Sequence, residues 1–372
     1  MPEAVIVATG RSPIGRAFKG SLVDVRPDDL AAHIVREVLA TIPQLDPHSV
    51  EDLILGCGQP AGEAGFNVAR VTAILAGLDN VPGVTVNRYC SSSLQTIRMA
   101  AHAIRAGEGD VFIAAGVETV SRFAAGASDN GKAINPVFHD ALARTQARSE
   151  KVTREEMDEF AVRSQELAVA HQNNGFFERE IIPVTTPDGT FVNKDDGPRA
   201  GTTLEKLAAL QPVFREGGTV TAGNACPLND GAAAVVVMSD TRAKALGLKP
   251  LARIVSSGVS GLNPEIMGLG PIEACRQALA RADMTIKDID LVEINEAFAA
   301  QVIPSAKHLE IPLEKLNIRG GAIALGHPFG MTGARIMTTL LNSLEDADKR
   351  FGMESMCVGG GQGMAMIVER LE

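Results

Sequence analysis

Residues 286–294, Ile286-Lys287-Asp288-Ile289-Asp290-Leu291-Val292-Glu293-Ile294, repeat in kind what Val50-Glu51-Asp52-Leu53-Ile54-Leu55 presents more than two hundred residues earlier. In both places a helical stretch, 31–39 or 274–282, leads through an acidic turn into a short strand and then another helix. The correspondence continues. Val86-Asn87 precedes Cys90 and a helix through Ala101, as Leu316-Asn317 precedes His327 and a helix through Leu341. Asn229-Asp230-Gly231-Ala232-Ala233-Ala234-Val235-Val236-Val237 likewise resembles Gly361-Gln362-Gly363-Met364-Ala365-Met366-Ile367-Val368. Four matches in one order, at so long a period, mean a duplicated domain and not a solenoid of short repeats.

Working outward, short β-branched runs alternate with longer amphipathic stretches, which predicts α/β layers. The expected strands are 4–8, 52–56, 111–115, 232–238, 252–256, 290–294 and 364–368. The expected helices are 28–39, 61–76, 92–106, 271–282, 297–308 and 330–344. Residues 121–218 break the pattern, with the turn-rich Asn193-Lys194-Asp195-Asp196-Gly197-Pro198 and a helix announced by the capping-box pair Thr153 and Glu156. Met157, Phe160, Ala161, Ser164, Leu167 and Ala168 fall on one face of that helix. The expected organisation is therefore a first half, 1–120 completed by 219–248, an insertion, 121–218, and a second half, 249–372.

Composition narrows the function. The 372 residues are 45% apolar and 22% charged, an ordinary globular balance. With a net charge of −10, no basic patch and 4% aromatics, a nucleic-acid partner is not expected. No apolar run approaches the roughly 20 residues that span a bilayer. The start, with Ala4-Val5-Ile6-Val7-Ala8, reads as a strand and not as a signal peptide. Five cysteines without an export signal point to a reducing, cytoplasmic setting with free thiols.

Cys90, in Asn87-Arg88-Tyr89-Cys90-Ser91-Ser92-Ser93, stands at a turn into a helix, whose free N–H groups and dipole favour a thiolate and lower the thiol pKa. An isolated cysteine there is more often a small buried packing residue. His327, in Gly320-Gly321-Ala322-Ile323-Ala324-Leu325-Gly326-His327-Pro328, occupies the matching turn of the second half. If the halves pack about a two-fold axis, Cys and His meet there, the pairing that activates a thiol; a capping or core histidine is the competing explanation. Cys357-Val358-Gly359-Gly360-Gly361-Gln362-Gly363 is followed by a strand and not a helix, so it is not a dinucleotide loop. It is a turn whose N–H groups can face an oxyanion, with a thiol at its edge. Asn295, after the strand 291–294, is a water or substrate holder or a simple helix cap. Cys57 and Cys275 have apolar neighbours and read as structural, Cys226 is ambiguous, and no Cys/His spacing suggests a metal site.

Together, Asn87-Arg88-Tyr89-Cys90-Ser91-Ser92, Asn295-Glu296-Ala297-Phe298, Gly326-His327-Pro328 and Cys357-Val358-Gly359-Gly360-Gly361 resemble the four signature blocks of thiolases, the acetyl-CoA C-acyltransferases. Gly116-Val117-Glu118-Thr119-Val120-Ser121 and Thr219-Val220-Thr221-Ala222-Gly223-Asn224 extend the likeness over nearly the whole chain. The resemblance implies a duplicated five-layer α-β-α-β-α fold with a loop domain inserted after the first half's fourth strand. It implies reversible CoA-dependent cleavage of 3-oxoacyl-CoA, or condensation of two acetyl-CoA, with acyl-CoA and coenzyme A as substrates and no permanently bound cofactor. By the same resemblance Cys90 is the nucleophile, His327 its activator and Cys357 the second acid/base. Asn295 and His327 would form one oxyanion hole, the N–H groups of Cys90 and Gly359 the other, and Ser256 would touch the pantetheine arm of CoA. A homodimer or homotetramer is implied, and the Cys90 block leans toward the degradative members. A decarboxylating 3-oxoacyl synthase, or a non-catalytic acyl-CoA binding protein, are the alternatives; the second cysteine favours thiolase. One departure stands out: the family's Met-Gly-x-Thr-Ala-Glu segment, a wall of the acyl and CoA pocket, is not visible between Phe138-His139-Asp140 and Val152-Thr153. Cys226 also replaces the small residue expected at its place.

Overall fold

The computed structural model describes residues 2–123 and 151–371. The stretch 138–148, and with it the question of the missing Met-Gly-x-Thr-Ala-Glu segment, lies outside the described residues. The first half runs β1 (Ala4–Arg11), β2 (Gly15–Arg16), α1 (Pro27–Ala40), β3 (Asp52–Gly56), α2 (Val68–Leu75), β4 (Gly83–Val86), α3 (Ser92–Ala106) and β5 (Val111–Thr119). The insertion holds α4 (Arg154–Asn173), β6 (Val184–Thr185), β7 (Phe191–Val192) and α5 (Leu204–Ala208). The chain then forms β8 (Asn229–Ser239), α6 (Asp240–Ala245), β9 (Ala252–Gly261), α7 (Gly270–Arg281), β10 (Leu291–Ile294) and α8 (Ala299–His308). It ends with α9 (Ala322–Leu325), α10 (Thr332–Asp346), β11 (Phe351–Val358) and β12 (Gln362–Arg370).

The duplication is present strand for strand. One half orders its strands β4-β3-β5-β8-β1, the other β10-β11-β12-β9, and the two join where Val5 and Ile6 pair with Arg253 and Ala252. β3 is parallel to β4 and β5 and β8 is antiparallel; β10 is parallel to β11 and β12 is antiparallel. Where the first half has β4, the second has a parallel bridge from Val292 to Leu316.

Three apolar cores separate five layers. Leu30, Ile34 and Val38 of α1 pack on Leu53, Leu55 and Ile113; Ala278 of α7 and Val302 of α8 pack on Val292, Ile294 and Ile367. Between the sheets, Ile97 and Ala101 of α3 and Ile336 and Leu340 of α10 fill the middle with Val235 and Met366. Each such fully buried Ile, Leu or Val contributes about 1.5–3 kcal/mol. β8 is buried along its whole length, which is why it reads as a continuous apolar run. The central helices touch backbone to backbone: a Cβ on Gly333 would lie 2.3 Å from Leu94 N.

Two expectations change. The helix expected over 61–76 starts only at Val68, because Phe66 and Asn67 take positive φ and end the preceding turn. The strand β11 was not expected, because its Gly352, Glu354 and Ser355 read as surface, yet all three are buried.

Candidate active site

Cys90 sits in a single 3-10 turn, Tyr89–Ser91, between β4 and α3. The polar residues around it fasten this elbow: Asn87 Oδ1 accepts from Tyr89 N (2.9 Å), and Ser92 Oγ accepts from Arg88 N (2.9 Å) while donating to Tyr89 O (2.7 Å). They hold Tyr89 at φ +40, a conformation its side chain resists. The N–H groups of Gly359 and of Cys90 itself are directed at the Cys90 sulfur. The thiol is nonetheless not the ready thiolate that a helix terminus suggests. Burial pushes it up to about 11, against those two N–H groups, with Glu118 adding to the rise.

His327 follows α9 through Gly326, whose φ of +113 and contact with Asn229 (a Cβ would lie 2.6 Å from its Cγ) admit only glycine. Asn229 Oδ1 accepts from His327 N at 2.9 Å. The imidazole Nδ1 lies 2.6 Å from Thr332 Oγ1, which donates its one proton to Pro328 O at 2.8 Å. Nδ1 must therefore carry the ring proton and donate it, which leaves Nε2 with a lone pair. Burial, with Arg335 second, pulls the ring pKa down to about 3, so the imidazole is neutral. Asn295, just past β10, lies with Nδ2 3.3 Å from His327 Nε2, and its Oδ1 is buried with no partner.

Cys357, next to last in β11, pairs across the hairpin with Gly363. Its thiol is raised well above the ordinary range by burial, then by Cys90 and Cys226 nearby. The structure therefore brings together Cys90, His327, Asn295, Cys357 and Gly359 from four separate stretches of the chain, with Asn295 and Cys357 buried behind the cavity wall and not in its lining. A cavity of about 1050 Å³ is lined by Cys90, His327, Gly359 and Cys226, with Tyr89, Met267, Phe298 and Phe329. The insertion contributes Arg199, Val213 and Phe214, and Arg16 and Lys19 add positive charge.

Ser256 is not part of this wall. Its hydroxyl donates to Ala278 O at 2.7 Å, binding β9 to the outer helix α7, because strand alternation turns it away from the cavity. Cys226 does line the cavity, held by Cys226 N donating to Ala297 O (3.0 Å); burial pushes its thiol to about 12. Cys57 and Cys275 are buried away from the cavity wall.

Two supporting residues, Glu118 and Glu296, stand inside the motifs quoted above but were given no role there. Glu118 accepts from Gly58 N (2.7 Å), Gln59 N (3.1 Å) and Gly330 N (2.8 Å), locking loops of both halves beside the elbow. Glu296 accepts from Ser164 Oγ (2.6 Å), Asn317 Nδ2 (2.9 Å) and Ile323 N (3.1 Å), tying the insertion to the His327 loop. For Glu118 the available signal was a carboxylate near the end of an otherwise apolar run, 111–117, since buried charge needs built partners; Glu296, two residues past β10, gave no such signal. Among the described residues, no group of three His, Cys, Asp or Glu side chains is placed to hold a metal ion, and no helix is long and apolar enough to cross a membrane.

Residues 4–241 match the profile of the thiolase N-terminal domain, and residues 248–370 that of the thiolase C-terminal domain. The chain belongs to the thiolase family. As a thiolase it is an acyltransferase. It is 44% identical to the 3-ketoacyl-CoA thiolases of Aeromonas hydrophila and Shewanella oneidensis, with 100% of each chain covered. These alignments run over 390 positions against 372 residues here, so the relatives carry stretches that this thiolase lacks. The crystal structure of the Bacillus anthracis acetyl-CoA acetyltransferase superposes with a TM-score of 0.89 at 40% identity, covering 100% of this chain and 99% of that one.

Proposed function

We propose that this thiolase cleaves 3-oxoacyl-CoA with coenzyme A, and runs the reverse condensation, through an acyl group carried on Cys90. The observation that carries the reading is the convergence on one cavity of Cys90, under two N–H groups, and a neutral His327 whose Nε2 keeps its lone pair, 3.3 Å from Asn295 Nδ2. In cleavage, Nε2 takes the Cys90 proton. The resulting thiolate–imidazolium attraction is weakly screened in a buried site, which offsets the pKa gap between the separate groups.

The thiolate attacks the C3 carbonyl, and the oxyanion is met by the N–H groups of Cys90 and Gly359. The C2–C3 bond breaks, and its electron pair leaves as the enolate of acetyl-CoA. His327 and a water held by Asn295 stabilise that enolate, and Cys357 protonates its carbon. Coenzyme A then gives its thiol proton to the Cys357 thiolate, attacks the acyl carbon and displaces the Cys90 thiolate, which recovers its proton from the His327 imidazolium. Cys357 suits the carbon acid because it is itself a weak acid, raised by burial. Arg16, Lys19 and Arg199 would receive the phosphates of CoA at the cavity.

The same reading takes CoA and acyl-CoA as substrates with no resident cofactor. It places the enzyme in the cytoplasm, in fatty-acid β-oxidation, as a homodimer or homotetramer. It divides the chain into 1–120 with 219–248, the loop domain 121–218, and 249–372; the repeated strand order supports this division. The test is acetylation mapping. Acetyl-CoA should acetylate Cys90, and Cys357→Ala should keep that acetylation while losing carbon–carbon bond formation. CoA binding with Cys90 unmodified overturns the reading; equal loss of both half-reactions overturns the separate roles.

A further inference from the structure

The two N–H groups directed at the Cys90 sulfur come from different halves of the duplicated fold, that of Cys90 from the first and that of Gly359 from the second. Their mutual placement therefore depends on how the hairpin between β11 and β12 is seated on the elbow between β4 and α3. The turn of that hairpin offers little grip of its own. It is Gly359-Gly360-Gly361, with Gly360 and Gly361 both at φ +87, and three consecutive glycines carry no side chain to fix their position. Its backbone is held only from the second half's side, where Gly361 N donates to Val358 O (3.2 Å) and Gly361 O accepts from Leu262 N (2.9 Å).

The elbow reaches the hairpin through the two residues that precede the nucleophile. The Tyr89 ring packs on Gly359, where an added Cβ would lie 3.3 Å from Tyr89 Cγ. Arg88 spans the gap between the halves: its Nη1 donates to Gln362 Oε1 at 2.7 Å, and its Nε donates to Gln95 Oε1 at 3.1 Å. Gln95 is a buried residue of α3, so the guanidinium is braced against the helix that begins at the elbow. Gln362 opens β12 and pairs with Val358, the residue before Gly359. A hydrogen bond from a charged donor is roughly twice as strong as a neutral one, and the planar guanidinium fixes the direction of both donors together. Arg88 does not line the catalytic cavity, so it acts on the reaction through the hairpin and not by touching the substrate.

We infer that Arg88 is a positioning residue for acyl transfer: by gripping Gln362 it holds the Gly359 N–H beside the Cys90 N–H, so that both meet the oxyanion formed at the attacked carbonyl. The inference rests on the thiolase reading of Cys90. The test uses the full chain and follows single-turnover acetylation of Cys90 by acetyl-CoA. Arg88→Met and Gln362→Met each remove the contact while keeping an unbranched side chain. Each should slow acetylation by roughly ten- to a hundredfold, less than the loss of a whole oxyanion donor because the N–H is displaced and not deleted. The double variant should be no slower than either single one, since both remove the same contact. CoA affinity should stay within about twofold of wild type, because the contact serves the transition state and not binding. Gln362→Glu, whose carboxylate accepts the same bond from Arg88, should acetylate as wild type does. Single variants that acetylate at the wild-type rate, losses that multiply in the double variant, an equal loss of CoA binding, or a Gln362→Glu as slow as Gln362→Met overturns the positioning role while acetylation of Cys90 stands. Failure of wild-type Cys90 to acetylate overturns the thiolase reading and the positioning role with it.

Discussion

At the residue scale the site is a problem of where one proton sits. Cys90 is a weaker acid than a free thiol, at about 11, and His327 is a weaker base than a free imidazole, at about 3. Both shifts favour the uncharged pair, so a thiolate at neutral pH exists only as the partner of an imidazolium. Such a pair forms by moving a proton internally and is independent of pH between the two values. Wild type should therefore show a Cys90 alkylation rate by iodoacetamide that is flat across neutral pH. His327→Asn should slow it at neutral pH and make it rise about tenfold per pH unit up to about 11, as for a lone thiol whose ionised fraction alone reacts. A flat profile in the variant would refute the pairing. The sequence singles out the two residues proposed to react but not these acidities. Asn87, Ser91 and Ser92 advertise a tight elbow, whereas the desolvation that outweighs the helix terminus comes from residues on both halves.

At the element scale, the site depends on how closely α3 and α10 approach. Gly333 meets Leu94 so tightly that an added Cβ would sit 2.3 Å from the Leu94 backbone nitrogen. Gly333→Ala should destabilise the enzyme by about 1–3 kcal/mol or more, since the two helices must separate in a filled core. A lowered urea midpoint checks this, and acetylation of Cys90 should fall with it because α3 carries the elbow. These helices were legible: α3 was expected over 92–106 and is Ser92–Ala106. Their periodicity and the glycine beyond Ala106 are local signals. β11 was not legible, although it delivers Cys357, because a strand with buried Glu354 imitates a surface segment until the fold encloses it. Ser256 shows the opposite error: its strand was found, but which face bears the cavity follows from the packing of α7 and not from the strand's own pattern.

At the scale of the whole molecule, the insertion is fastened to the duplicated core through Arg11. This fully buried guanidinium on β1 bonds Glu180 at 2.7 Å and Asp195 at 2.8 and 3.0 Å, both from the insertion. Arg11→Ala should cost about 3–5 kcal/mol, because it leaves two carboxylates buried without their cation. The check is a fall in Tm together with earlier proteolysis within the insertion, and an unchanged Tm would contradict the anchoring. The same attachment brings Arg199, Val213 and Phe214 to the cavity, which no local pattern announces. The sequence by itself determined the duplication and the layered α/β class, and it singled out Cys90, His327 and Cys357 as candidates. Those properties reside in periodicity and in short motifs read along the chain. Only the tertiary structure decided the acidity of Cys90, the placing of Gly359 N–H on its sulfur, the outward role of Ser256 and the reach of Arg88 to Gln362. Each of these is set by desolvation or by hydrogen bonds between elements distant in sequence, which exist only once the layers have closed.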